Sequence, residues 1–92
     1  MPRTVVLGRD LTPQQAIILL NTLGGRIAFK RHEHNVTQEW LAEKVNVSQS
    51  LVSRWERNRE RPLHDSMVKL AEALQTTREW LTAATPITSE AA

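Results

Sequence analysis

The chain has 92 residues, a formal net charge of +2, 40% hydrophobic and 24% charged residues, and no cysteine. This length allows one small domain, and the composition is typical of a globular protein rather than a disordered one. The lack of cysteine excludes a disulfide framework and a thiolate metal site, and no run of about 18 apolar residues is present to span a membrane. The first ten residues, MPRTVVLGRD, have too short an apolar stretch for a secretory signal, so a cytoplasmic location is expected.

The first helix is predicted to begin at Thr12. Thr12 can act as N-cap, Pro13 suits the first helical position, and Gln15 can complete a capping box. A stripe of apolar residues at helical spacing follows: Ala16, Leu19, Leu20, Leu23 and Ile27. Gly24 and Gly25 interrupt it, and each glycine costs about 1 kcal/mol inside a helix. We favour one long helix to about residue 33, with a kink or break at the glycines as the alternative.

Four further helices are predicted from caps and inward-facing apolar sets. Thr37 caps the second helix and Ser48 the third, the fourth runs from about residue 65 to 74, and Thr76 with Glu79 forms a capping box for the short fifth. The expected inward side chains are Leu41, Ala42, Val45, Leu51, Val52, Trp55, Met67, Leu70, Ala71, Leu74, Trp80 and Leu81. No strand-like alternation is evident, so the chain is predicted to be all-α.

Asparagines stand after three of the predicted helices, at Asn35, Asn46 and Asn58. Asparagine is second only to glycine at helix ends that need a positive φ, so three left-handed caps are predicted. Only Asn46 and Val47 separate the second helix from Ser48, the cap of the third. This spacing is typical of a tight helix-turn-helix, although an ordinary corner between two helices gives the same spacing.

Positive charge concentrates in the third helix and the loop behind it. Four arginines stand there against two glutamates, and the surplus of two equals the net charge of the chain: Arg54, Arg57, Arg59 and Arg61 against Glu56 and Glu60. Such a patch is typical of a surface that binds a polyanion. A solvated helix face would give the same pattern, so charge alone does not decide between the two.

The stretch TQEWLAEKVNVSQSLVSRWERNRERP resembles the helix-turn-helix of the Cro/C1-type (XRE-like) repressor family, and KLAEALQTTREWL resembles the fourth and fifth helices of that family. The resemblance covers about residues 24–83. Gln38 opens the first helix of the motif, Ala42 is the small residue where two helices cross, and Asn46 stands where the family most often has glycine. The resemblance implies an all-α, five-helix, lambda-repressor-like DNA-binding domain.

Roles for individual side chains follow from this resemblance. Four outward residues of the third helix would contact bases: Gln49, Ser50, Ser53 and Arg54. Five residues would contact the DNA backbone: Gln38, Ser48, Arg57, Arg59 and Arg61. Gln38 would brace Gln49 or hold a phosphate, and Arg31 and Glu56 match a structural ion pair of the family. Outside the family context, Arg54 is more typical of a solvated helix arginine than of a base contact.

The implied function is a sequence-specific regulator of transcription, a repressor that binds a palindromic double-stranded DNA operator as a homodimer. The alternative is an antitoxin-type or bridging module whose main role is to bind a protein partner, such as a toxin. Ile17 and Ile18 lie off the main apolar stripe and are candidates for a dimer contact, with Trp80 as the rival surface. No catalytic motif or glycine-rich phosphate loop is present, so neither an enzyme nor a cofactor is expected.

Residues 1–11 are predicted to form an N-terminal arm, residues 12–83 the helix-turn-helix domain, and residues 84–92 a flexible tail. The short segment that carries Arg3 and Arg9 resembles the N-terminal arm of lambda-type repressors, which wraps around DNA. The alternative is an irregular N-terminus without such a role.

Several side chains depart from the family pattern or invite another function. Trp40 replaces a polar residue and either covers the junction of the first two helices or contacts a partner. Leu63 replaces the small hydroxyl residue that commonly caps the fourth helix in the family. The start of that helix is therefore predicted only to within a residue or two. His32 and His34 point about 200° apart on a helix, so no metal site is predicted, and with His64 they are expected on the surface.

Overall fold

The structure, a computed structural model, describes residues 12–83, and this part of the chain contains six helices and no strand. The helices are α1 (Pro13–Leu20), α2 (Leu23–Glu33), α3 (Gln38–Val45), α4 (Gln49–Glu56), α5 (His64–Ala73) and α6 (Arg78–Thr82). The predicted all-α class is confirmed. None of these helices is long and apolar enough to cross a membrane. The predicted arm and tail lie outside the described residues.

The single long helix predicted at the start of the domain is wrong, because the chain forms two helices that meet at Asn21 and Thr22. The predicted capping box at Thr12 is present: its hydroxyl accepts a hydrogen bond from the Gln15 amide at 3.1 Å, and the Gln15 side chain accepts one from the Thr12 amide at 3.0 Å. Thr22 then has an extended backbone, and its hydroxyl accepts a hydrogen bond from the Gly25 amide at 3.0 Å. Thr22 therefore caps a new helix two residues before the glycines.

Gly24 and Gly25 lie inside α2, where they permit two close contacts between helices. A Cβ on Gly24 would lie 2.1 Å from the carbonyl oxygen of Trp55, and one on Gly25 would lie 2.0 Å from that of Leu19. Both distances are far below van der Waals contact. The glycines therefore let α2 pack directly against the backbone of α4 and of α1, rather than breaking the helix.

One apolar core joins five of the six helices. Its buried members are Ile27, Leu41, Ala42, Val45, Val52, Trp55, Met67, Leu70, Ala71, Leu74 and Leu81. Leu51 and Trp80, which were predicted to face inward, are half-buried at the margin of this core. Helix α1 contributes no buried residue and packs mainly on α2. The core therefore fixes α4 against α2 and α3, while α1 remains peripheral.

The three predicted asparagine caps are confirmed, since Asn35, Asn46 and Asn58 have φ of 62°, 66° and 59°. A fourth left-handed residue, Gln75 (φ 54°), lies between α5 and α6 and was not predicted. The predicted cap at Thr76 is wrong, because the hydroxyl of Thr77 accepts the hydrogen bond from the Trp80 amide at 3.0 Å. Leu63 provides no side-chain cap, and α5 begins one residue earlier than predicted.

Surface positions were predicted for all three histidines, and the prediction is confirmed for His64 but wrong for His32 and His34, which are half-buried. His64 is exposed, but Nε2 of His34 lies 2.8 Å from the carbonyl oxygen of Leu74, and Nδ1 of His32 is buried without a hydrogen-bond partner among the described residues. Burial lowers the pKa of His32, and the charge of Arg31 lowers it further, against a smaller opposing effect of Glu56. Residues 12–83 contain no group of His, Asp and Glu placed to hold a metal.

Candidate nucleic-acid interface

Helices α3 and α4 form a helix-turn-helix whose turn is fixed by local hydrogen bonds. The left-handed Asn46 lets the Val47 amide donate to the Ala42 carbonyl at 2.9 Å, which closes the end of α3. Two residues later, the Ser48 hydroxyl accepts a hydrogen bond from the Leu51 amide at 3.1 Å and starts α4. This arrangement fixes the direction of α4 relative to α3 by sequence-local chemistry.

Helix α4 has one buried and one outward face. Val52 is fully buried and Trp55 is 2% exposed, so both anchor the helix to the core. The four residues predicted to contact bases share the opposite side: Gln49, Ser50 and Arg54 are exposed, and Ser53 is half-buried. Their side chains offer amide, hydroxyl and guanidinium groups, which are the groups that hydrogen-bond to base edges. The structure therefore brings these four predicted residues together on one helix face.

A chain of hydrogen bonds connects this face to a buried ion pair. Arg31 and Glu56 form the predicted pair: Nε donates to Oε2 at 2.7 Å and Nη2 donates to Oε1 at 3.0 Å, with the two side chains 10% and 7% exposed. Gln38 donates to the same Oε1 at 3.0 Å, and its own oxygen accepts a hydrogen bond from Gln49 at 3.4 Å. Gln38 thus links the exposed side chain of Gln49 to the buried carboxylate of Glu56.

The arginines at the end of α4 form a basic surface beside that face. Arg57, Arg59 and Arg61 are exposed, and Arg57 donates to the Ser53 carbonyl at 3.4 Å. The guanidinium groups of Arg59 and Arg61 form no ion pair with the described residues. Arg54 pairs with Glu60, Nε to Oε1, at 3.0 Å. The surface therefore presents free cations that suit an anion such as phosphate.

Asn58 holds the loop that carries these arginines against α2. Its side-chain oxygen accepts a hydrogen bond from the Gly24 amide at 2.9 Å, and its side-chain nitrogen donates to the Thr22 hydroxyl at 2.9 Å. The loop borders an open cavity of about 230 Å³, lined by Leu23, Trp55, Asn58, Arg59, Glu60 and Arg61. Sequence reasoning identified Asn58 only as a helix cap and did not find its contacts with α2 or the pairing of Glu60, because both depend on tertiary structure.

The two tryptophans outside the core centre have different surroundings. Trp40 is half-buried against the core, with Nζ of Lys44 5.4 Å from its ring centroid. Trp80 is half-buried beneath two cations, Cζ of Arg26 at 4.4 Å and Nζ of Lys30 at 5.0 Å, and Arg26 also donates to the Trp80 carbonyl at 2.7 Å. Most of the Trp80 ring is therefore occupied by contacts within the chain.

The fold and the motif define a helix-turn-helix domain of the lambda-repressor type. The family described as "Helix-turn-helix" (HTH_3) matches residues 27–81, which is more than half of the chain. The chain therefore belongs to the Cro/C1-type helix-turn-helix family of DNA-binding transcriptional regulators, as the sequence resemblance indicated.

Particular relatives agree with this assignment. The chain is 33% identical over 60 residues to the HTH-type transcriptional regulator DicA of Escherichia coli (strain K12), a match that covers 65% of this chain and 44% of DicA. The chain thus aligns with less than half the length of that curated relative. The family and its named relatives are transcription regulators rather than enzymes, in agreement with the prediction.

Three solved structures share the fold. The P22 c2 repressor in complex with synthetic operator 9T has a TM-score of 0.67 at 30% identity, over 68% of this chain and 96% of that chain. The solution structure of the DNA-binding domain of the P22 c2 repressor has a TM-score of 0.64 at 32% identity, over 65% and 79% of the two chains. The hypothetical transcription factor NHTF from Neisseria, at 22% identity and a TM-score of 0.63 over 99% and 93% of the two chains, supports the fold alone.

Proposed function

We propose that the protein is a sequence-specific transcriptional repressor that binds a palindromic double-stranded DNA operator as a homodimer, with α4 in the major groove. The observation that carries the proposal is the polar outward face of α4, flanked by the exposed arginines of the following loop. A major groove admits one α-helix, and its base edges are read by such side chains. The similarity to the P22 c2 repressor, which was solved with a synthetic operator, supports the same mode of binding.

The residues proposed to contact DNA fall into two groups, one that contacts bases and one that contacts the DNA backbone. The first group reads bases and consists of Gln49, Ser50, Ser53 and Arg54: a guanidinium suits guanine O6 and N7, and an amide suits adenine. The second group holds the DNA backbone and consists of Gln38, Ser48, Arg57, Arg59 and Arg61. Contacts of the second kind set the position of the protein on the duplex but carry no sequence information of their own.

Substitution of Arg54 by alanine separates these two groups. We expect Arg54→Ala to weaken binding to the preferred operator by about 1–3 kcal/mol and to relax selectivity at one base pair per half-site. Arg59→Ala is the matched control: it should weaken all sequences about equally and reduce the slope of log K against log salt by about one. Competition binding with a set of single-base operator variants measures both effects. An unchanged base preference in Arg54→Ala contradicts the assignment.

We place the contact between the two protomers on α1. Ile17 and Ile18 are 54% and 65% exposed, and the sequence of α1, PQQAIILL, has no ionisable side chain. Two copies of this helix can therefore meet about a two-fold axis without bringing like charges together. The rival surface at Trp80 is less suitable, because Arg26 and Lys30 already cover the ring.

A double substitution on α1 tests this contact. Ile17→Gln with Ile18→Gln should yield a folded monomer, because exposed substitutions usually change stability by no more than about 0.5 kcal/mol. Operator affinity should fall by about 10²–10⁴-fold, since two linked half-site contacts become independent. Leu63→Gln is the control, because Leu63 is 79% exposed but lies at the start of α5. Sedimentation velocity reports the oligomeric state, and a dimer that persists in the α1 variant contradicts the proposal.

Binding of a protein partner such as a toxin is the second candidate function. The observation that favours it is the same apolar patch, Ile17 and Ile18 on α1. The sedimentation measurement separates the two candidates. A wild-type protein that dimerises through α1 supports the repressor, whereas a wild-type monomer leaves this patch for a different chain.

A further inference from the structure

Glu60 is paired with the side chain that we assign to base recognition. Its Oε1 accepts a hydrogen bond from Nε of Arg54 at 3.0 Å, and the two side chains are 50% and 45% exposed. This contact occupies Nε and leaves both terminal amino groups, Nη1 and Nη2, for other partners. Glu60 is therefore in direct contact with the group proposed to read a base, although Glu60 itself does not lie on α4.

The loop around Glu60 is anchored on both sides. On one side, the side chain of Asn58 is bound to Gly24 and Thr22 of the α2 N-terminus. On the other side, Pro62 is buried. The Arg59 amide also donates to the Arg54 carbonyl at 2.9 Å, which folds the loop back onto the last turn of α4. The carboxylate of Glu60 is therefore carried by a fixed segment of backbone at the edge of the outward face of α4.

Folding stability does not account for this pair, because exposed ion pairs contribute little to the free energy of unfolding. Glu60 also stands in a run of arginines, with Arg57, Arg59 and Arg61 around it. On a surface that binds a polyanion, its negative charge weakens binding to any sequence. The pair does, however, restrict a long side chain, and an arginine that is already oriented loses less conformational freedom when it binds.

We propose that Glu60 determines specificity by holding the Arg54 guanidinium in one orientation with its terminal amino groups free for guanine, while its charge weakens binding to all sequences alike. The inference rests on the proposed DNA-binding function. Glu60 acts through Arg54 and need not touch the DNA, so it is a positioning residue. A simple electrostatic effect of Glu60 would change the affinity for all sequences alike, whereas positioning changes the ratio between preferred and random sequences.

A double-mutant cycle distinguishes positioning from charge. Wild type, Glu60→Ala, Arg54→Ala and the double variant are each titrated with a duplex enriched by selection from a random pool and with a random duplex of equal length. Glu60→Ala should bind the random duplex more tightly, while its ratio of enriched to random affinity falls by about three- to tenfold, as expected when one long side chain must be ordered on binding. In the Arg54→Ala background, the same substitution should leave that ratio unchanged.

Other outcomes overturn the inference. An unchanged ratio in Glu60→Ala, or an equal fall of the ratio in the Arg54→Ala background, means that Glu60 does not act by positioning Arg54. Glu60→Gln adds a second check, because it removes the charge but keeps an oxygen that accepts from Nε: it should tighten random binding with a smaller loss of the ratio. A wild type that binds both duplexes equally overturns the proposed function and, with it, this inference.

Discussion

Glu56→Ala is expected to lower the free energy of unfolding by about 3–5 kcal/mol, because it leaves the buried guanidinium of Arg31 without its carboxylate. Arg31 is buried, at 8% exposure of the whole residue, and Glu56 accepts two of its hydrogen bonds. Urea unfolding followed by tryptophan fluorescence measures the change, since Trp55 is buried in the core of the folded protein.

Glu33→Ala is the matched control for this experiment. Glu33 pairs with Lys30 at 2.9 Å, but its side chain is 48% exposed, so its removal should cost no more than about 1 kcal/mol. Equal and small losses in both variants would contradict the role of the buried pair. Joint replacement by apolar residues, R31M/E56L, should recover much of the stability, since it leaves no unpaired buried charge.

The R31M/E56L variant also separates folding from recognition. The Gln38 side chain donates to Glu56 and accepts from Gln49, so loss of Glu56 removes the buried acceptor that orients the Gln38 side chain. Gln49 should then be less well oriented even in a stable protein. A stable double variant with reduced selectivity at the base read by Gln49 is the expected combination.

Gly24→Ala is expected to destabilise the protein by about 3 kcal/mol, although alanine is the better helix former. The new Cβ would lie 2.1 Å from the Trp55 carbonyl oxygen and 2.7 Å from Oδ1 of Asn58, so α2 must move away from the end of α4. The contacted oxygen belongs to backbone and cannot rotate aside. Urea unfolding of the variant measures the loss.

The sign of this effect is diagnostic. If Gly24 were only a weak point in a helix, alanine would stabilise the fold by about 1 kcal/mol, which would contradict the close contact with α4. Glu43→Ala is a suitable control, because Glu43 is exposed on α3 and its replacement should change stability by no more than about 0.5 kcal/mol.

Features set by neighbouring residues could be predicted from the sequence. The cap at Thr12, the caps at Thr37 and Ser48, and the left-handed Asn46 each depend on hydrogen bonds that span at most five residues. The core members of α3 to α5 could also be predicted from the spacing of the apolar residues. Apolar residues that recur about every 3.6 positions lie on one face of a helix, and that face is the one that is buried. Sequence was therefore sufficient for the motif and for the outward face of α4.

Features that depend on distant partners could not be predicted. The break at Thr22 was missed because the apolar stripe keeps its spacing across it, so periodicity gives no signal. The function of Gly24 depends on Asn58 and Trp55, and Asn58 is 34 positions away. The pairing of Arg54 with Glu60, six positions apart, is not a regular helix pair and arises because the left-handed Asn58 turns the loop back.

Helix α4 is proposed to read a specific DNA sequence, and selection of duplexes from a random pool tests this function most directly. The purified protein is incubated with the pool at near-physiological salt, and the retained DNA is sequenced. We predict enrichment of an inverted repeat whose half-site centres are about ten base pairs apart, the spacing of two recognition helices one helical turn from each other. Retention without an enriched sequence, or no retention, would contradict the assignment of α4 as a sequence-reading helix.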